Sequence, residues 1–182
     1  MKYNYANNII DFKPEVLIFF VFQDKSLRDK KITEIENFLS ISFPKLLLND
    51  FAGKEKISLS IYFNGFRLIL TGLGLREKFT PETLRKSCIS GVREAKKNNV
   101  KLIGVELIDN EIITTADSPL LQTESIALGL YSFQKYLTKE NINKSDLREI
   151  KFFSVNGADE NEIRRGIRIG KTISNAVNLA RD

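Results

Sequence analysis

The sequence predicts an α/β domain in which helices cover both faces of a mixed, largely parallel sheet. Strand-like segments alternate with helical patterns of about 10 to 20 residues, which is typical of three-layer α/β/α folds. One segment, Val16–Phe22, is apolar throughout, as expected of a strand that is buried on both faces. The dipeptide Asn64-Gly65 lies between two further strand patterns and predicts a hairpin, so one strand pair should be antiparallel.

The first half of the chain supplies one helix and the two strands of the predicted hairpin. Ser26 lies three residues before Asp29, an arrangement similar to a capping box, and apolar residues at helical spacing follow. This pattern predicts a first helix that ends before Pro44. Ile57–Phe63 and Phe66–Thr71 have strand patterns, and the alternation in the first of them predicts one more polar face.

Two further helices are predicted from the same signal, a hydroxyl residue followed by proline. Thr80-Pro81 opens the first of them, and Ser118-Pro119 opens another that carries apolar residues as far as Leu137. The hydroxyl can accept a hydrogen bond from a free backbone N–H of the first turn, and proline fits the first helical position.

The remaining strands and the last helix follow from their apolar residues. Lys101–Ile108 is rich in leucine, isoleucine and valine, and Glu149–Val155 is predicted to be the last strand. A long final helix is predicted from about Asp159, with Ile163 and Ile167 on its apolar face. No linker, repeat or hinge divides the chain, and 182 residues is an ordinary size for one domain.

The histidine and cysteine content excludes several classes of catalytic site. The chain contains no histidine, so no Ser-His-Asp triad, Cys-His pair or histidine-ligated metal centre can form within it. Its single cysteine, Cys88, lies on the apolar stripe of a predicted helix and is interpreted as a buried thiol. Glu124 and Asp109 have no obvious carboxylate partner for general acid–base chemistry. We therefore expect no catalytic, cofactor-binding or metal-binding residue in this chain.

Two glycine-rich stretches are similar to phosphate-binding loops, but neither has the full pattern. Gly72-Leu-Gly74 follows a strand, yet Glu77 occupies the position of the third glycine in a dinucleotide fingerprint. A tight turn between strand and helix is the favoured interpretation. The stretch 166–172 is one residue too short for a phosphate loop and lies inside a helical pattern, where the backbone amides are already engaged.

The formal net charge of +5 permits an acidic partner but does not require one. Arg164, Arg168 and Lys171 share one face of the last helix and could contact nucleic acid phosphates or an acidic surface of another domain. Basic residues elsewhere are interleaved with acidic ones, which favours a solvated face over a nucleic acid partner. The longest apolar run, Val16–Phe22, is too short to span a bilayer, which takes about 20 residues. The sequence therefore predicts a cytoplasmic protein with no membrane partner.

Four stretches occur in the order and spacing of one known family. They are Asp50-Phe-Ala-Gly-Lys54, Leu68-Ile-Leu-Thr-Gly-Leu-Gly74, the pattern from Glu124 through Gly129 to Tyr136, and the stretch from Gly170 through Asn175 to Asp182. Together they resemble the N-terminal domain of the leucyl aminopeptidase (cytosol aminopeptidase) family of metallopeptidases. Ser125 stands where the family usually has glycine, and Leu137 where it usually has lysine, which indicates a divergent member.

The resemblance implies a macro-domain-like fold, with residues 1–158 as an accessory domain and residues 159–182 as a linker helix to a catalytic domain outside this chain. It also implies a cytoplasmic, hexameric parent enzyme that uses two zinc or manganese ions to release N-terminal residues from peptides. The family's metal ligands and catalytic residues lie beyond Asp182. The resemblance therefore places no site residue or cofactor in this chain, which by itself should be inactive.

A second hypothesis is a stand-alone module of macro-domain type that binds a nucleotide or ADP-ribose. It rests on the implied architecture and on the turn at Gly72 and Gly74, since open α/β sheets bind ligands where their strands end. The sequence lacks the asparagine-rich and Gly-Gly loops of macro-domain ligand sites, which favours the aminopeptidase hypothesis.

Overall fold

The computed structural model describes residues 1–44, 50–63, 65–97, 99–114, 116–131, 147–157 and 159–181. Its strands are β1 (Lys2–Tyr5), β2 (Val16–Phe22), β3 (Ser58–Phe63), β4 (Phe66–Gly74), β5 (Leu102–Glu106) and β6 (Glu149–Phe153). Its α-helices are α1 (Lys25–Leu39), α2 (Pro81–Lys96), α3 (Asp117–Gly129) and α4 (Glu160–Leu179). Short 3-10 turns occupy Ile10–Phe12 and Arg76–Lys78.

The six strands form one sheet in the order β1-β6-β5-β2-β4-β3. Every neighbouring pair is parallel except β3 with β4. In that antiparallel pair Phe63 lies opposite Phe66, as a hairpin requires, although Asn64 itself lies outside the described residues. The prediction of a mixed, largely parallel sheet is confirmed.

Helices cover both faces of the sheet because β2, near its centre, is apolar on both faces. Val16, Ile18 and Phe20 belong to a core that they share with α2, α3 and α4. Leu17 and Phe19 belong to a second core on the opposite face, beneath α1. Alternate residues of a strand point to opposite faces, so a strand with no polar position needs a cover on each side. The predicted three-layer α/β/α arrangement is what the structure shows.

Two of the four described helices, α2 and α4, begin at the residue that the sequence predicts. Thr80 caps α2, since its Oγ1 accepts a hydrogen bond from the N–H of Thr83 at 3.2 Å. Asp159 caps α4 in the same way, through the N–H of Asn161 at 2.7 Å. Each side chain satisfies one backbone donor that the helix itself leaves free.

The predicted capping roles of Ser26 and Ser118 are wrong. Helix α1 begins one residue before Ser26, and the preceding Asp24 accepts a hydrogen bond from the N–H of Arg76 at 2.8 Å instead of capping the helix. Ser118 lies inside α3 and donates to Gln122 Oε1 at 2.6 Å. Ser26 lies in the first turn and not at the cap position, and Ser118 bonds to a side chain of its own helix.

Two strand features differ from the prediction. β4 extends past Thr71 to Gly74 because it stays paired with β2, where Val21 lies opposite Gly72 and Phe22 opposite Gly74. On its other side the Gly74 N–H donates to Gly53 O at 3.0 Å. β1 is a four-residue edge strand of mixed polarity, and the sequence pattern missed it. The predicted continuation of α3 to Leu137 lies partly outside the described residues, and the helix ends at Gly129.

Close packing of α4 on α3 depends on glycine at position 170. A Cβ added to Gly170 would lie 2.5 Å from the carbonyl oxygen of Leu120 and 3.0 Å from Thr123 Cβ. The first distance is well inside van der Waals contact, and the carbonyl belongs to the backbone of α3, which cannot yield easily. The glycine in this supposed phosphate loop therefore serves helix packing.

We expect Gly170→Ala to lower the free energy of unfolding by about 1 to 3 kcal/mol, because the methyl group forces α3 and α4 apart. In an unobstructed helix the same change raises stability by about 1 kcal/mol. Urea denaturation followed by circular dichroism measures the difference. Asn175→Ala, on the exposed side of α4, is the matched control and should be neutral or slightly stabilising. A Gly170→Ala protein as stable as the wild type would contradict the packing argument.

Candidate functional site

In this topology a ligand site is most expected in the crevice between β2 and β5. The chain leaves β2 and forms β4 on one side of it, then crosses to form β5 on the other side. Open α/β sheets usually bind ligands outside the carboxyl ends of the strands at such a switch point. The register pairs Ile18 with Val105 and extends no further, so the two strands part beyond these residues.

A buried ion pair fills the crevice where the strands part. Glu106, the last residue of β5, is 2% exposed, and its Oε2 accepts a hydrogen bond from the N–H of Phe20 at 3.3 Å. Lys31 of α1 donates to Glu106 Oε1, and also to Glu34 Oε1 at 2.6 Å. The Glu106 carboxylate thus takes over a backbone donor of β2 that β5 no longer reaches.

Burial and pairing both shift the ionisation of this pair. Burial raises the pKa of the Glu106 carboxyl, and the neighbouring Lys31 ammonium offsets part of that rise. Burial alone would lower the pKa of Lys31, but the attraction of Glu106 and Glu34 outweighs it, so the Lys31 pKa lies above its usual value. Lys31 therefore stays protonated and compensates the charge that Glu106 brings into the core.

A cavity remains above the pair, with a volume of about 210 Å³. Its polar lining includes Lys30, Asp109, Asn110 and Asn156, and its apolar lining includes Phe22. Sites for drug-sized ligands typically measure about 300 to 1,000 Å³. The cavity is therefore small for a nucleotide. Within the described part of the chain, no group of three or more acidic or cysteine side chains could hold a metal ion.

The structure places the two glycines of the supposed dinucleotide loop away from any ligand space. A Cβ on Gly72 would lie 2.0 Å from the carbonyl oxygen of Lys54, because the segment before β3 passes directly over it. Gly74 has φ +76°, a conformation that favours glycine. Gly72 allows close backbone packing and Gly74 allows the turn, in agreement with the tight turn favoured from the sequence.

The other residues singled out in the sequence do not come together as a site. Cys88 is fully buried in α2, and burial raises the pKa of its thiol, so it is not a ready nucleophile. Glu124 forms an ion pair with Arg85 of α2 at 3.2 Å. Of the two carboxylates considered for acid–base chemistry, Asp109 alone lines the cavity above Glu106.

The basic face of α4 borders a shallow cavity against β1. Arg164, Arg168 and Lys171 line it together with Tyr3 and Tyr5, and its volume is about 260 Å³. Arg164 is already paired with Glu160 at 2.6 Å. The three cations do share one face, as predicted, and that face is exposed.

Sequence reasoning missed the Lys31–Glu106 pair. Its members lie 75 residues apart, so no local spacing connects them. The available signal was Glu106 itself, a charged residue among the apolar positions of the predicted strand Lys101–Ile108. A carboxylate in such a place needs a cationic partner, although the sequence does not say which.

The family model described as the cytosol aminopeptidase family, N-terminal domain, matches residues 18–140. The chain belongs to this family. Curated relatives named "Probable cytosol aminopeptidase" include those of Sulfurihydrogenibium sp., 24% identical over 188 residues, and Aquifex aeolicus, 28% identical over 160 residues. The first match covers 100% of this chain and 37% of the relative, and the second covers 86% and 28%. The chain thus spans about a third of the length of these cytosol aminopeptidases.

Solved structures with the same fold include a mutant of tomato leucine aminopeptidase and the bottromycin maturation enzyme BotP. The first superposes with a TM-score of 0.73 at 19% identity and covers 100% of this chain and 37% of that one. The second gives 0.68 at 17% identity, over 93% and 32%. These likenesses agree with the α/β fold of the cytosol aminopeptidase N-terminal domain. Among the described residues, no helix is long and apolar enough to cross a membrane.

We expect Lys31→Met to lower the free energy of unfolding at neutral pH by about 2 to 4 kcal/mol, because it leaves Glu106 buried without a counter-charge. The Glu106 pKa then rises further above its value in the unfolded chain. Between these two values the folded state binds the extra proton, so stability relative to the wild type should recover as the pH falls below neutral.

Chemical denaturation at several pH values measures both effects. Lys30→Met removes the same charge from the neighbouring, exposed position of α1 and should change stability by less than about 0.5 kcal/mol. A loss for Lys31→Met that is independent of pH, or an equal loss for Lys30→Met, would contradict the role assigned to the pair.

Proposed function

We propose that this chain is the non-catalytic N-terminal domain of a metal-dependent aminopeptidase that releases N-terminal residues from peptides. The observation that carries the proposal is the match of the family's N-terminal domain to residues 18–140. Relatives named cytosol aminopeptidase are about three times as long as the matched region, which leaves room for a separate catalytic domain.

The proposed boundary divides residues 1–158 from a linker helix at residues 159–182. Ile163 and Ile167, in the first half of α4, are buried in the core of the sheet domain. Farther along, Ile173 is 38% exposed and Leu179 is 77% exposed. Exposed apolar side chains on the far half of a helix that is anchored at its start support a contact with another part of the parent protein.

The finer properties of the parent follow from family membership and belong to the same proposal. They are two zinc or manganese ions in the catalytic domain, a hexameric assembly, a macro-domain-like character of this domain and a cytoplasmic location. In this arrangement the present chain would pack against its own catalytic domain and against neighbouring subunits. Its own residues would bind no metal and perform no chemistry.

The runner-up is a stand-alone module that binds a nucleotide or ADP-ribose. The cavity at the switch point between β2 and β5 favours it, since ligands of such sheets bind there. The Lys31–Glu106 pair and the volume of about 210 Å³ weigh against it. Titration calorimetry with ADP-ribose decides between the two, and saturable heat at micromolar ligand would favour the module.

We expect the purified 182-residue chain to show no aminopeptidase activity on a leucine anilide with added Mn²⁺ or Zn²⁺. The protein read from the natural coding sequence past Asp182 should be active under the same conditions. A mock purification from cells without the gene controls for host peptidases. Metal-dependent turnover by the 182-residue chain above that control would contradict the proposal, as would a longer protein that binds no metal.

A further inference from the structure

We propose that a pocket at the amino ends of β2 and β4 binds a carboxylate through Arg67. This pocket lies at the opposite edge of the sheet from Glu106 and has a volume of about 380 Å³. The β3–β4 hairpin contributes Tyr62, Phe63, Phe66 and Arg67 to its lining. Tyr62 and Arg67 form a cross-strand pair on one face of the sheet, and a fixed guanidinium in a pocket is suited to an anionic group.

Arg67 is a buried cation that has no counter-charge among the described residues. The residue is only 9% exposed, and its Nε is buried with no hydrogen-bond partner. None of the ion pairs found among the described residues includes it. Burying an unpaired charge is costly, so a buried guanidinium normally faces a carboxylate or phosphate. The missing partner at Arg67 indicates an anion from outside the described residues.

Glu15 also lines the pocket, but its carboxylate is engaged elsewhere. Its Oε2 accepts hydrogen bonds from the N–H groups of Lys101 and of Leu102, the latter at 2.9 Å. These bonds hold Glu15 at the start of β5, so it does not serve as the counter-ion of Arg67. The Arg67 guanidinium therefore remains available to a carboxylate other than that of Glu15.

Tyr62 forms a movable cover over the Arg67 guanidinium. Its ring centroid lies 4.3 Å from Arg67 Cζ, and Arg67 Nη2 donates to the Tyr62 hydroxyl. Tyr62 itself is 72% exposed, so little packing opposes its rotation. Rotation would uncover Nε and Nη2 together, the two parallel donors that bind a carboxylate in bidentate fashion.

The chemistry of the pocket selects a planar anion such as a carboxylate. The planar guanidinium matches the two oxygens, and the Tyr62 ring lies beside it on the same face of the sheet, whereas Phe63 and Phe66 pair on the opposite face. Such a group could be a free small molecule or an acidic side chain from elsewhere in a longer protein. Both sources present the same carboxylate to Arg67.

Titration of the ¹⁵N-labelled chain with benzoate, followed by NMR, tests the proposal. We expect saturable shifts of the Tyr62 and Arg67 amide signals with a Kd of about 1 mM or tighter. Benzamide, which has the same ring without the charge, should give none. Arg67→Gln should weaken benzoate binding about tenfold or more. Arg165→Gln removes an exposed arginine from α4 and should leave the Kd unchanged.

A second variant keeps the test decisive if Arg67→Gln does not fold. Tyr62→Phe keeps the exposed ring but removes the hydroxyl that competes for Nη2, so benzoate should bind about fivefold more tightly. No saturable shift at about 20 mM benzoate would overturn the proposal. Equal shifts with benzamide, wild-type affinity in a folded Arg67→Gln protein, or no tightening in Tyr62→Phe would overturn it as well.

The same titration on a longer protein, read past Asp182, separates the two sources of carboxylate. Equal benzoate affinity in both proteins assigns the pocket to a free small molecule. Benzoate affinity at least about tenfold weaker in the longer protein shows that an acidic side chain of that protein already occupies the site. Either result supports recognition of a carboxylate by Arg67.

Discussion

Burial of β2 on both faces is the constraint on which the rest of the structure depends. No position of Val16–Val21 is more than 2% exposed, so both faces of the sheet need a cover at this strand. Helix α1 provides one cover and α2, α3 and α4 provide the other. The crossing of the chain from β4 to β5 follows, because a strand without polar faces is stable only inside the sheet, between neighbours.

The central position of β2 creates a crevice at its carboxyl end, and side chains of this chain occupy the base of that crevice. In related topologies the crevice beside the switch point receives ligand. Here Glu106 satisfies the free N–H of Phe20, and Lys31 balances the charge. A domain that fills its most favourable ligand position internally is suited to an accessory role, in which its outer surfaces make the contacts.

Features governed by local chemistry could be predicted from the sequence, and features governed by distant contacts could not. The buried strand β2, the hairpin at Asn64-Gly65 and the cap at Thr80 depend on residues within a few positions of one another. The Lys31–Glu106 pair and the uncompensated Arg67 arise from packing between segments far apart in the chain. Ser26 shows the limit of local signals, since the helix begins one residue earlier, and Asp24 at the cap position binds the distant Arg76 N–H.

Helix α4 has a mechanical consequence that follows from its packing through Gly170. It is one uninterrupted helix of 20 residues, which corresponds to about 30 Å. Ile163 at its start is fixed in the core, while the Leu179 side chain near its end is exposed. The helix also packs along α3, from Gly166 against Pro119 to Arg181 over the Tyr131 ring, so it is braced along its side and does not act as a flexible tether. Whatever contacts the far end of α4 is therefore held at a set distance and angle from the sheet.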